Sequence, residues 1–171
     1  MIYIAIPSIT PRLAACAVEA IARTTPEPHR VAVVTGRTHG EALDYAVANL
    51  PSEATHLFTM DDDAAPLKIG WLTWLRHRMT CTETECTSFG TNSAVGALYS
   101  ASALRRVTRR FADSCNPGDA VRGALRSNKY LSRSWSSRWW LRNCEVYRDD
   151  EDDLVFAHLG GGTIGQISPK S

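Results

Sequence analysis

The stretch THLFTMDDDAAPLKIGWLTWL, residues 55–75, decides how the chain reads. An apolar run, THLFTM, ends in three consecutive carboxylates, Asp61, Asp62 and Asp63. Adjacent like charges repel, and a carboxylate leaving a hydrophobic strand loses hydration. Two readings account for them. In the first, Asp63 caps a helix that begins at Pro66 and runs through LKIGWLTWLRHRM, with the acids favoured by the helix dipole. In the second, the acids close a buried strand and hold a hard divalent cation, Mg²⁺ or Mn²⁺, which takes oxygen ligands. Three acids exceed what a cap needs, and they follow the strand directly.

Working outward, the flanking segments alternate between strand and helix. IYIAI (2–6) is a short buried strand stopped by Pro7. Thr10 and Pro11 start a helix over RLAACAVEAIART. HRVAVVTG (29–36) reads as a second buried strand. GEALDYAVANL (40–50) carries Leu43, Ala46, Val47 and Leu50 on one helical face. The resulting β-α-β-α-β-α order predicts an α/β fold, with a mostly parallel sheet flanked by helices. Ligands in such sheets bind beyond the carboxyl ends of the strands, where Asp61–Asp63 stand. After residue 80 the rhythm loosens. CTSFGTNSAVGALYS suggests two strands, ASALRRVTRRF and GDAVRGALRSNKY two helices, WSSRWWLRNCEVY a strand pair, and LVFAHLGGG a last strand.

Composition sets wider bounds. With 171 residues, 44% hydrophobic, 22% charged and a net charge of +1, the chain is expected to form one domain with a substantial core. No apolar run reaches the length of a membrane span. Met1 leads into IYIAIP without a basic n-region, and Cys16, Cys81, Cys86, Cys115 and Cys144 form no C-x-x-C pair. Reduced thiols and a cytoplasmic location are the expectation.

HLFTMDDDAAP, in this context, resembles the aspartate motif of GT-A-fold glycosyltransferases, which hold a nucleotide-diphospho-sugar through a divalent metal. IAIPSITPRLAACAVEAI is similar to that family's opening strand, proline and Arg-containing first helix. THGEALDYAVANLPSEATHLFTMDDD resembles its helix leading into the metal strand, and SAVGALYSASALRRV the segment that follows. The resemblance implies a single minimal GT-A, Rossmann-like nucleotide-sugar-binding domain over 1–171, with 1–80 the nucleotide half and 81–171 the acceptor half. It makes Asp63 the direct ligand of Mn²⁺ or Mg²⁺ and Asp61 a contact to the metal or the nucleotide ribose. Asp62 becomes a second-sphere residue. Pro7 and Arg12 fall on the donor side. His158, in VFAHLGGGT, stands where such enzymes often place a further metal ligand, although a lone histidine after an apolar strand is more often packed or capped. Gly160 and Gly161 would let the backbone approach phosphates, or simply form a terminal connector. Asp119, opening the GDAVRGAL segment, takes the place of the general base of inverting enzymes, or else caps that helix. The family's acids after the second strand are replaced by Thr35-Gly36-Arg37-Thr38, so base recognition would rely on Arg37 or backbone groups.

The acceptor side is marked by charge. From Ala101 to Arg142 nine arginines and Lys129 face only Asp113 and Asp119. Tyr130, Trp135, Trp139 and Trp140 are interleaved with them. Arginine forks suit phosphates and aromatic faces stack on bases, so this composition fits DNA or another polyanion, a hydroxymethylated DNA base being the sharpest version. The same residues also suit sugar stacking, core filling or a solvated helix face. Two rivals stand beside glycosyl transfer: a nucleotidyltransferase, disfavoured because PSITPRLAA lacks a glycine-rich phosphate loop, and a nucleic-acid-binding domain without catalysis.

Overall fold

The computed structural model describes residues 1–89, 95–114, 116, 118–130, 133–135 and 145–158; for 128–130 and 133–135 it describes the backbone alone. Five segments follow the reading of the first sixty residues closely: β1 (Ile2–Pro7), α1 (Pro11–Thr24), β2 (His29–Val34), α2 (His39–Ala48) and β3 (His56–Met60). Pro11 opens α1 where its missing N–H costs nothing. Thr38 and Glu41 close a reciprocal capping box at the start of α2.

β4 (Ala64–Pro66) overturns the first reading of the acidic triplet. No helix begins at Pro66. Ala64, Ala65 and Pro66 instead pair antiparallel with β10 (Leu154–His158), and α3 (Trp71–Cys81) starts only after Gly70, whose φ of 77° marks a left-handed turn. Asp63 therefore caps nothing. Beyond α3 come β5 (Cys86–Phe89), β6 (Gly96–Ser100), α4 (Ala101–Leu104), α5 (Asp119–Gly123), β7 (Ser127–Tyr130), β8 (Arg133–Trp135) and β9 (Glu145–Arg148). The two late helices are much shorter than their sequences suggested. α4 stops at Leu104, with a 3₁₀ turn at Phe111–Asp113. SNKY leaves the helix reading entirely and pairs parallel with β5.

The main sheet has the order β2-β1-β3-β6-β5-β7, parallel at β1/β2, β1/β3 and β5/β7 and antiparallel at β3/β6 and β5/β6. A second, antiparallel sheet runs β4-β10-β9-β8. β2 is not the fully buried strand its composition suggested: it forms one edge of the main sheet and is only half covered.

Side chains alternate across each strand, so the two sheet faces bury different sets. Leu43 and Ala46 of α2, Leu104 of α4 and Val121 of α5 cover Tyr3, Leu57, Ala97 and Tyr99. On the other face Ile21 of α1 and Trp71 and Leu75 of α3 meet Ile4, Phe58 and Phe89. Phe156 of β10 joins this second core, stacked on Phe89 at 4.3 Å between ring centroids and edge-on to Phe58 at 6.2 Å. That aromatic contact fixes the small sheet on the large one. It also aims the side chain two residues further along, His158, toward the end of β3.

Candidate functional site

The chain turns sharply after β3. Asp61 N–H donates to Val95 at 3.3 Å, and Ala64 N–H donates back to the Asp61 carbonyl at 3.2 Å. The turn leads straight into β4, whose register places Ala64 opposite His158. The carboxylates and the imidazole, 97 positions apart from Asp61 to His158, thus meet. His158 Nε2 lies 3.2 Å from Asp63 Oδ1 and 3.7 Å from Asp61 Oδ2. One oxygen each of Asp61 and Asp63 and one ring nitrogen of His158, the atoms that could ligate a metal, all fall within 4.8 Å of one another.

Behind the imidazole, Glu145 Oε2 sits 3.6 Å from His158 Nδ1 and accepts the Tyr147 hydroxyl at 3.0 Å. Both Glu145 and His158 are only 8% exposed. Ser8, directly after β1, donates its hydroxyl to Asp62 Oδ2 at 2.6 Å. His39, the first residue of α2, brings Nε2 to 3.7 Å from Asp61 Oδ1.

Such crowding perturbs titration. Burial above all pushes the Asp61 carboxyl up to about 7; the charges of Asp63 and Asp62 add to this, and His158 opposes it. Burial works against the charge of His158, but Asp63 first, then Asp61 and Glu145, outweigh it and raise its pKa. His39 moves the other way, lowered by burial against the attraction of Asp62. Asp61 Oδ1 is buried and, among the described residues, has no hydrogen-bond partner. A carboxylate oxygen in that state costs on the order of 1–3 kcal/mol or more. Two carboxylates and one imidazole form a donor set suited to Mn²⁺ or Mg²⁺, and the orphaned oxygen supplies the place an ion would fill. A carboxylate behind a histidine ligand is the usual second-sphere arrangement of metal sites, and Glu145 stands so behind His158.

The other residues singled out in the sequence lie around this cluster at varying distances. Pro7 is buried at the end of β1 in register with Val34. Arg12 is exposed in the first turn of α1. Arg37 is exposed and lies over the Tyr45 ring, 4.5 Å from its centroid, beside a cavity of about 520 Å³ that Tyr3, Val34 and Thr35 also line. Asp119 opens α5 in an ion pair with the buried Arg122, whose Nη1 donates to Ser88 at 3.3 Å. Ser88 pairs with Ala97, which pairs with Thr59, so this group stands near the same sheet edge, roughly 10 Å across two strand spacings from β3. Gly160 and Gly161 lie outside the described residues, as do Trp139 and Trp140.

Several arginines of the basic block have partners within the fold. Arg106 pairs with Glu85 at 2.5 Å, Arg110 with Asp44 at 3.3 Å and Arg122 with Asp119, while Arg105 donates to the carbonyls of Pro51 and Ser52. Ser8, His39 and Glu145 had no signal in the sequence: a serine after a strand, a histidine at a helix start and one acid in an acidic run are each unremarkable alone.

No protein-family profile and no curated protein matches the chain. Solved structures do. It is similar to A197 from STIV, with a TM-score of 0.60 and 10% identity over 99% of both chains. It is also similar to TarS 1–349 of S. aureus in complex with UDP-GlcNAc, with a TM-score of 0.57 and 8% identity over 75% of this chain and 55% of that one. A further structure of TarS 1–349 gives a TM-score of 0.59 at 9% identity over 57% of its length. The chain spans little more than half of the TarS fragment. At these identities the likeness is one of fold: a GT-like α/β architecture with a mixed sheet flanked by helices. Among the described residues no helix is long and apolar enough to cross a membrane.

Proposed function

We propose that the chain is a metal-dependent glycosyltransferase that moves a sugar from a nucleotide-diphosphate donor to an acceptor hydroxyl. The observation that carries this reading is the cluster of Asp61, Asp63 and His158 beyond the carboxyl end of β3, with a buried Asp61 oxygen that no described residue hydrogen-bonds. The fold shared with TarS, solved with UDP-GlcNAc, supports it. The helix-cap alternative for the triplet fails, because residues 64–66 are strand.

Asp61, Asp63 and His158 would hold Mn²⁺ or Mg²⁺. When bound, such an ion neutralises the charge that develops on the departing nucleotide diphosphate. The chain's own residues divide the rest. Glu145 orients the His158 ring, and Ser8 holds Asp62 in place behind the ligands. Arg37 and Tyr45 form the wall nearest the nucleotide base. Asp119, steadied by Arg122, takes the proton of the acceptor hydroxyl in an inverting transfer. The acceptor is a hydroxyl on a polyanion, a hydroxymethylated DNA base in the sharpest form, which an electrophoretic shift at two salt concentrations tests directly.

Metal-dependent thermal stabilisation by UDP- and GDP-sugars tests the core of the reading. A donor at a hundred times its Kd stabilises by about 2.7 kcal/mol. That response should require Mn²⁺ or Mg²⁺ and disappear in Asp63→Ala. A metal-dependent response that survives the substitution overturns the ligand assignment.

A further inference from the structure

The opposite end of β3 carries the opposite charge. His56, the first residue of that strand, lines a cavity of about 700 Å³ together with Arg76, His77, Thr80, Ser100 and Arg126. Ser100 is the register partner of His56 on β6. Five steps of extended backbone from His56 to Asp61, about 16 Å at 3.3 Å each, separate this cavity from the acidic cluster.

α3 gives the cavity one whole face. Thr73, Arg76, His77 and Thr80 follow the i, i+3, i+4, i+7 spacing, so four polar side chains project to one side of the helix. The opposite wall supplies Arg126, just before β7. The only acid among the lining residues is Glu83. Glu85 stands nearby and pairs with both Arg106, at 2.5 Å, and Arg126, at 3.7 Å, leaving the rest of the Arg126 fork to the cavity. Arg76 has no ion-pair partner among the described residues.

Like charges converging on a cavity repel unless an anion lies between them. His56 is pressed down to about 4, first by burial and then by the charges of Arg76 and the Met1 amino group. Two guanidinium forks match the oxygens of a phosphate, and Thr80 and Ser100 line the same cavity. A polar lining of this kind disfavours an apolar ligand, and the volume leaves room for the group that carries the phosphate.

We propose that this cavity binds a phosphate-bearing anion, held by Arg76 and Arg126 with His56 and His77 beside them. The site is separate from the acidic cluster and does not depend on the glycosyl-transfer reading.

Histidine side-chain NMR during a titration with inorganic phosphate, at constant ionic strength set by chloride, tests it. His56 and His77 should shift saturably, with a Kd on the order of a millimolar, and the His56 pKa should rise. The variant R76Q/R126Q should weaken binding by about tenfold or more, and R76K should fall between, since it keeps the charge and loses the fork. Both arginines are exposed, and the amide spectrum checks that the fold persists. D63N should bind phosphate as the wild type does. Parallel titrations with glycerol 3-phosphate and with oligothymidylate distinguish a small phosphomonoester from a phosphodiester chain as the source. Shifts no larger than those chloride produces, or binding unchanged in R76Q/R126Q, overturn the proposal.

Discussion

Replacing Asp61 with asparagine should stabilise the metal-free protein while removing its metal response. Asp61 rises from its ordinary 3.8 to about 7, chiefly through burial, with a side chain only 17% exposed. A carboxyl with a raised folded-state pKa binds its proton more tightly folded than unfolded. Its stabilising contribution is therefore complete below about pH 4 and is lost as pH rises through about 7. Between those values the slope is about 1.4 kcal/mol per pH unit, which sums to about 3 kcal/mol from near pH 5 to near pH 8. Asparagine does not titrate. The stability of D61N relative to wild type should thus grow by about 3 kcal/mol over that interval, or roughly 6–12 °C in Tm for a chain of this size. Chemical denaturation of both proteins at each pH, in chelator, measures it. Adding Mn²⁺ near pH 8 should then stabilise wild type far more than D61N. A stability difference that stays flat with pH refutes the reasoning, because it means the Asp61 charge is not strained and needs no cation.

Three further outcomes follow from single contacts. Glu145→Gln should weaken Mn²⁺ binding, read by titration calorimetry, by about 10–100-fold without loss of fold, since the carboxylate behind His158 sets the ring. Gly96→Ala should cost about 1–3 kcal/mol in urea unfolding, because its Cβ would meet Phe58 Cζ at 2.9 Å and Phe89 Cδ2 at 3.2 Å within a filled aromatic core. Glu83→Gly should gain about 0.5–1 kcal/mol: Glu83 holds a φ of 51° just past α3, where Thr84 N–H reaches back to Met79 and glycine carries no Cβ penalty.

Local pattern carried the first half of the chain. Isoleucine and valine runs, Pro11 at a helix start and the helical stripe of α2 act over a few residues, and each is the dominant force on its own segment. It failed where distant partners compete. AAP after the triplet reads as a helix start, yet the three residues pair with β10, which leaves Ala64 and Pro66 buried. SNKY continues a helical run, yet β5 offers it a parallel ladder. RRVTRR carries arginines at helical spacing, but ion pairs to Glu85 and Asp44 and carbonyls of Pro51 and Ser52 hold that segment instead.

The candidate site divides the same way. The sequence alone determined that three carboxylates stand at the carboxyl end of a buried strand in an α/β chain, because strand, turn and charge are neighbours along the backbone. Only the tertiary structure decided that His158 joins Asp61 and Asp63, that Glu145 stands behind it, and that Ser8 and His39 complete the surroundings. Those meetings depend on the β4–β10 register and on Phe156 stacking against Phe89. Burial of a shared aromatic core draws together strands far apart in sequence, and no local spacing encodes which residues then face one another.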